Sequence, residues 1–206
     1  MKIIEPSATL VDEINPEEIL KKIERCGRVS HKSKARDDSA EMFVRMVIKR
    51  GHESVLEHTN LTFHIICDRA IMAELTRHRI AAFTVESTRY VKYDDLEVVT
   101  PFAIDDDDLR YCHWVGQVRA AENAYRTLIN HGAKPEEARA VLPNCLKSEL
   151  YMTANLRELR HIMKLRTSKA AHPQMRLIAN QILDLFKEKL PVIVEDINVE
   201  TDSRAD

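Results

Sequence analysis

The sequence predicts a mixed α+β fold with more helix than sheet: a small, mostly antiparallel sheet flanked by helices. Three features lead there. Apolar residues recur at helical spacing in several stretches that end at proline or glycine. The run Leu61-Thr62-Phe63-His64-Ile65-Ile66-Cys67 mixes β-branched and apolar residues as a strand does. The length of 206 residues, with 44% hydrophobic and 31% charged side chains, is enough for one core and too short for two enzyme domains side by side. With 4 glycines, no repeat and no linker, nothing marks a boundary, so residues 1–206 read as one domain.

In chain order, Ile3 and Ile4 suggest a first short strand, and Pro16 opens a helix in which Ile19, Leu20 and Ile23 recur through about Cys26. A second helix runs from about Ser39 to Lys49 and stops at Gly51. After the Leu61–Cys67 strand, a helix holding Ile71, Met72 and Leu75 delivers its C-terminal end to Arg77-His78-Arg79. Val85 and the Tyr90–Tyr93 region read as short extended pieces, and Leu96–Val99 as a strand that ends at Pro101. Asp105 to Asp108 are placed to cap a long helix that reaches about Asn130 and stops at His131-Gly132. Pro135 opens a short helix through Val141, Leu150–Thr153 is a strand candidate, and Leu156–Leu165 is helical. A last helix from about Pro173 to Leu190 lines up Met175, Ile178, Ile182, Leu185 and Phe186.

Charge and cysteine usage narrow the function class. Lys and Arg number 31 against 33 Asp and Glu, without the basic excess expected of a nucleic-acid binder. Cys26, Cys67, Cys112 and Cys145 form no Cys-x-x-Cys pair and read as free thiols in a reducing compartment. No stretch approaches the roughly 20 apolar residues of a membrane span, and the N-terminus meets a proline before a signal segment could form. A cytoplasmic protein with no membrane or nucleic-acid partner is expected.

Three short stretches carry candidate chemistry. Thr76-Arg77-His78-Arg79 and Glu86-Ser87-Thr88-Arg89-Tyr90 gather three guanidiniums, an imidazole and several hydroxyls. Arginines held on neighbouring turns repel one another unless an anion neutralises them, which points to a phosphate-bearing ligand. The alternative is a solvated basic surface paired with Glu74, Glu86, Asp94 and Asp95. Gly51-His52-Glu53-Ser54-Val55-Leu56-Glu57-His58 offers two imidazoles, but Leu56 and Ser54 stand where the two zinc-protease spacings need histidine, so no metal is expected. A capped structural turn and a set of hydrogen bonds to a heteroaromatic ligand remain open for it. Glycine-rich nucleotide loops and a Gly-x-Ser-x-Gly elbow are both absent from the sequence.

Arg77-His78-Arg79, seven residues and then Ser87-Thr88-Arg89-Tyr90 resemble the signature of the flavin-dependent thymidylate synthases. Arg28-Val29-Ser30, Gly51-His52-Glu53-Ser54 with Glu57-His58, Ala138 to Pro143, Asn155 to Leu159, and Leu165-Arg166 resemble further segments of that family in the same order. The resemblance implies reductive methylation of dUMP to dTMP, with carbon from 5,10-methylenetetrahydrofolate and electrons from NADPH passed through FAD. It implies that Ser30, His52, Ser54, Glu57, Arg77, His78, Arg79, Ile80, Asn155 and His161 lie on FAD. It likewise implies that Glu74, Ser87, Arg89, Arg139 and Arg166 lie on dUMP, with Arg166 and Ser87 nearest the chemistry. Arg166 is expected to stabilise developing charge. Ser87 has no base adjacent in sequence, so a hydrogen bond to phosphate or ring is expected of it rather than nucleophilic attack.

Ala82, Thr84 and Val85 depart from the family signature, removing polar groups expected at the nucleotide, and the loop between Arg166 and His172 is longer than in some relatives. Glu86 would point away from Val85's face in an extended segment. FAD and dUMP together need more enclosed surface than 206 residues readily offer, so sites shared between subunits are expected. The family is homotetrameric, which agrees. Two other readings remain: a degenerate relative that binds nucleotide or nucleic-acid phosphate without catalysis, and a metal-dependent hydrolase built on His52 and His58.

Overall fold

A computed structural model describes residues 1–102, 104 and 109–197. Helices α1 (Pro16–Arg28), α2 (Ala40–Lys49), α3 (Arg69–Leu75), α4 (Leu109–Asn130), α5 (Pro135–Ala138), α6 (Leu156–Arg166) and α7 (Pro173–Lys189) outweigh the strands. The strands are β1 (Lys2–Ile3), β2 (Ser7–Leu10), β3 (Asn60–Asp68), β4 (Ala82–Val85), β5 (Glu97–Val98) and β6 (Lys147–Asn155). One sheet has the order β2-β3-β6-β4, and β1 pairs with β5 separately. The backbone bonds Leu156 N to Thr59 O and Arg69 N to Leu146 O, with the Thr62 and Thr153 hydroxyls 3.0 Å apart, set β3 against β6 in antiparallel register. Thr9 Oγ1 to His64 O and Val11 N to Thr62 O do the same for β2 against β3. The β1–β5 pair is parallel, Lys2 opposite Glu97.

The helix boundaries follow local chemistry. Asn15 caps α1 by accepting from Glu18 N at 3.2 Å, with Pro16 in the first turn, Glu17 and Glu18 at the positive end and Arg25 and Arg28 at the negative end. Gly51 and Gly132, with φ of +71° and +89°, supply the left-handed backbone after α2 and α4. Two junctions matter most for the site. Asp68 and Asn155 are each the last residue of a strand and the N-cap of the next helix, accepting from Ile71 N at 2.7 Å and from Glu158 N at 2.9 Å. Strand therefore turns into helix with no loop between, which fixes where α3 and α6 begin.

The chain divides into two compact units, residues 1–7, 65–77 and 84–150 in one and 8–64, 78–83 and 151–206 in the other. In the first, Leu96, Val98, Val118 and Leu146 form a core with Tyr93, Trp114 and Cys145 packed against it. In the second, Ile23, Val44, Leu56, Phe63, Ile162 and Ile178 are buried, and the Phe63 ring stacks on Phe186 at 6.3 Å.

Several sequence expectations need correcting. Tyr90–Tyr93 is a turn and irregular backbone rather than an extended piece, because Tyr90 N and Val91 N both bond back to Ser87 O. The strand expected at Leu150–Thr153 runs from Lys147 to Asn155. Strand β2 was not anticipated; it is short, and its Ala8 N is held by the Gln181 side chain at 2.7 Å. The capping expected of Asp105 to Asp108 lies outside the described residues. The four cysteines are free thiols, and burial pushes Cys67 up to about 12. Among the described residues no helix is long and apolar enough to cross a membrane.

Candidate functional site

In the second unit, the end of α1 is built on one buried carboxylate. Glu24 takes Arg28 Nε at 2.8 Å and NH2 at 2.6 Å and accepts the Ser39 hydroxyl at 2.5 Å, tying α1 to the loop before α2. Gly27 lets α2 come close, since a Cβ there would stand 2.6 Å from the Phe43 ring. Beside it lies an open cavity of about 1170 Å³ lined by Met42, Phe43 and Met46 and by Arg28, Lys34 and Arg50. Ser30, His52 and Ser54 line this cavity. Ser30 donates to Gly27 O at 3.0 Å.

A second cavity of about 530 Å³ is lined by Glu57, Ile80, Asn155 and His161 together with Glu53 and Arg157. Arg157 donates to Glu57 at 2.5 Å. Asn155 already caps α6, so its side-chain oxygen is engaged. Ile80 is 74% exposed, unusual for an aliphatic side chain of its size. Arg160, which also lines this cavity, is almost wholly buried and donates to Glu53, Asp196 and the Ile193 carbonyl. The Arg160 guanidinium holds Asp196 down at about 2.

His78 is buried, with Nδ1 3.2 Å from Glu158 Oε1 and Nε2 3.0 Å from Arg166 Nε. Its ring stands edge-on to His161 at 5.9 Å. Burial, and then the Arg166 charge, hold His78 below the ordinary imidazole value, outweighing the opposite pull of Glu158. His78, Glu158 and His161 bring potential metal-ligating atoms within 4.8 Å of one another. Arg166 already donates to one His78 nitrogen and Glu158 faces the other, so a cation would have to displace a guanidinium to be held by that ring.

In the first unit, Ser87 Oγ accepts from Arg89 N at 3.3 Å, and the exposed Arg139 donates to Thr88 Oγ1 at 3.5 Å. The exposed Arg89 lies over the Tyr90 ring at 5.4 Å and 3.7 Å from Glu136. The Arg139 guanidinium thus meets the Thr88 hydroxyl, while the Arg89 guanidinium is drawn to the Tyr90 ring and Glu136 and only its backbone N–H reaches Ser87. Glu74 sits near the end of α3, and Arg77 just beyond it is exposed. Glu86 turns into a separate network, taking Tyr93 OH at 2.6 Å and Lys147 Nζ at 3.1 Å, as the alternation of an extended segment predicts. Burial works against the Lys147 ammonium, but Glu149, Glu86 and their charge outweigh it and raise its pKa.

The residues expected on flavin therefore fall into separate groups. Ser30, His52 and Ser54 share the larger cavity, Glu57, Ile80, Asn155 and His161 the smaller one, while Arg77 and Arg79 are exposed and His78 is buried. Of the residues expected on dUMP, Ser87, Arg89 and Arg139 are drawn together, and Arg166 is held by His78. Sequence reasoning missed Glu24 and Arg160 and saw in Glu158 only a family segment. The signals were Glu24 and Arg28 four residues apart, and Glu158 three residues after a capping Asn155. His172, whose role the sequence left open, caps α7 by accepting from Gln174 N at 3.3 Å.

Comparison with known proteins gives this geometry a context. The family pattern "Thymidylate synthase complementing protein" (Thy1) matches residues 9–192. The flavin-dependent thymidylate synthase of Geobacter sulfurreducens is 36% identical over 157 residues, covering 75% of this chain and 68% of the relative. That of Pyrococcus furiosus is 35% identical over 153 residues, covering 72% of this chain and 63% of the relative, so the chain matches under two thirds of that protein's length. The crystal structure of the UMP/dUMP methylase PolB from Streptomyces cacaoi, bound with 5-Br dUMP, superposes with a TM-score of 0.79 at 25% identity, covering 95% of this chain and 96% of that one. With the family pattern running through both units and relatives this similar, the chain belongs to the thymidylate synthase complementing proteins, the family of the flavin-dependent thymidylate synthases.

Proposed function

We propose that this chain methylates dUMP reductively to dTMP, with carbon from 5,10-methylenetetrahydrofolate and electrons from NADPH passed through FAD, in a homotetramer whose sites are shared between subunits. Family membership carries the reading, and the Arg139 guanidinium at the Thr88 hydroxyl, with Arg89 exposed on the same short segment, supports its substrate side. The likeness to a methylase solved with a brominated dUMP supports the same substrate class.

The larger cavity fits the flavin's chemistry. Met42, Phe43 and Met46 offer an apolar lining for a flat ring system, and Arg28, Lys34 and Arg50 offer cations for a diphosphate. Ser30, His52 and Ser54 would hold it there, and Glu57, Arg77, His78, Arg79, Ile80, Asn155 and His161 would complete the set. Their division between two cavities, with Ile80 exposed, supports completion of each site by another subunit. When bound, the flavin supplies the hydride chemistry.

The chain's own part is binding and charge. Arg89 and Arg139 would neutralise the phosphate, and Ser87 would donate a hydrogen bond. Arg166 would orient the pyrimidine and stabilise negative charge that develops on it. Glu74 would accept from the nucleotide.

The test is the visible absorption spectrum of the purified protein, followed by anaerobic NADPH with and without dUMP. The reading expects a bound flavin that bleaches at a rate responding to dUMP. A colourless protein that cannot be loaded with FAD would shift the assignment to a phosphate-binding relative without catalysis.

A further inference from the structure

We propose that Glu158 is a positioning residue for the reaction: through His78 it fixes the orientation of Arg166, the arginine that faces the pyrimidine. The inference rests on the proposed substrate role of Arg166 and adds to it a residue outside the set expected on either ligand.

Glu158 stands three residues after the N-cap Asn155, where a capping-box glutamate would normally reach back to the N-cap amide. Its carboxylate lies against His78 Nδ1 at 3.2 Å, and both side chains are buried, 7% and 5% exposed. A buried carboxylate requires a donor, and among the described residues the imidazole lies within hydrogen-bond distance of it. Arg166 Nε–H is always a donor, so the His78 nitrogen 3.0 Å away, Nε2, must accept. The His78 proton is then on Nδ1, where it is donated to Glu158. The directions run one way along the chain of bonds: Arg166 donates to His78, and His78 donates to Glu158.

Each link depends on the one before it. Without an acceptor at Nδ1, the neutral ring is free to carry its proton on Nε2, where it would point at the Arg166 Nε–H. A protonated ring would do the same with an added charge, which burial and the guanidinium disfavour. Either change breaks the hydrogen bond between Arg166 Nε and His78 Nε2. With Nε committed to the imidazole, recognition of the pyrimidine by this side chain falls to its terminal nitrogens, so the hold also sets their direction. Such outer contacts on a ligand-binding side chain can change affinity or activity substantially while touching no ligand.

The test joins two readouts on FAD-loaded protein. Long-range 1H–15N spectra near neutral pH report which nitrogen of His78 is protonated, and steady-state kinetics report kcat and KM for dUMP across pH. In the wild type we expect a neutral ring with its proton on Nδ1. Glu158→Gln, whose amide oxygen can still accept from Nδ1–H, should keep that tautomer and stay within about 3-fold of wild-type kcat/KM, whereas Glu158→Leu should lose the tautomer and about 10- to 100-fold in kcat/KM for dUMP. Should Glu158→Leu fail to fold, the wild-type spectrum and the Glu158→Gln comparison still decide. A wild-type ring protonated on Nε2, or an unchanged kcat/KM in folded Glu158→Leu, would overturn the proposal. A wild type with the Nδ1 tautomer but no dTMP formation would instead overturn the functional reading on which it rests.

Discussion

At the scale of single residues, the proposed chemistry rests on a few guanidiniums held in different ways. Arg89 and Arg139 are exposed and only loosely engaged, 3.7 Å from Glu136 and 3.5 Å from Thr88. Exposed pairs at such distances contribute little stability, so these side chains can be removed without unfolding the chain. Arg89→Ala is accordingly expected to melt like wild type while losing at least about 100-fold in dTMP formation, and Arg166→Ala to lose as much through the charge it no longer stabilises. Turnover near wild-type rate in either variant would remove that residue from the site. Arg160 differs, being buried among Glu53, Asp196 and the Ile193 carbonyl. Arg160→Met should cost about 3 kcal/mol in a denaturation series, the low end for breaking a buried pair, because both carboxylates reach solvent.

His78 makes a pH prediction. Its folded pKa lies below the unfolded value of about 6.5, so its contribution to stability is intact above that pH and is lost as pH falls below it toward the folded value. Melting temperatures from about pH 7 to about pH 5.5 should therefore fall more steeply for wild type than for His78→Gln. Parallel slopes would mean that His78 is not held below its ordinary value. Asp196 acts lower, between its unfolded range and about 2, and so should not blur the comparison. Arg77, Arg79 and Arg89 were legible in the sequence because their spacing is unusual, whereas Arg160 was not. Glu158 and Glu24 were not, since a buried carboxylate and a solvated one look alike in a string of residues until the partner, 80 positions away for Glu158, is known.

At the scale of elements, helix ends were the most legible feature. Pro16, Gly51, Gly132, Pro135 and Pro173 constrain the backbone wherever they occur, and each marks a boundary within a few residues of the one observed. Strands were harder. β2 spans four residues, and its hold on Gln181 comes from a distant helix that no local pattern reveals. Tyr90–Tyr93 has strand-forming composition but is pulled into a turn by the Ser87 carbonyl, a case of local bonding prevailing over propensity. The α1–α2 contact at Gly27 offers a direct test of packing beside the larger cavity. Gly27→Ala gains helix propensity but drives a methyl into the Phe43 ring, so a net loss of about 1–2 kcal/mol is expected from overpacking. Combining it with Phe43→Leu should recover most of that loss. A Gly27→Ala protein more stable than wild type would show that the ring moves aside freely.

At the scale of the whole molecule, the residues expected on one cofactor lie in two cavities and on exposed surface. The proposed shared sites would resolve this division, and they would require an oligomer. Light scattering on the eluting protein should give four times the 23.8 kDa chain mass, and dilution that yields monomers should abolish turnover. A fully active monomer would refute shared sites while leaving the chemistry untouched.

The chemistry itself is tested most directly by following radiolabelled dUMP with the purified protein stripped of any bound flavin, NADPH and 5,10-methylenetetrahydrofolate, with and without added FAD, under anaerobic conditions. The account predicts that labelled dTMP accumulates only when all four are present and that Arg166→Ala forms none. No dTMP from a folded, flavin-loaded protein, or equal amounts with and without FAD, would contradict it.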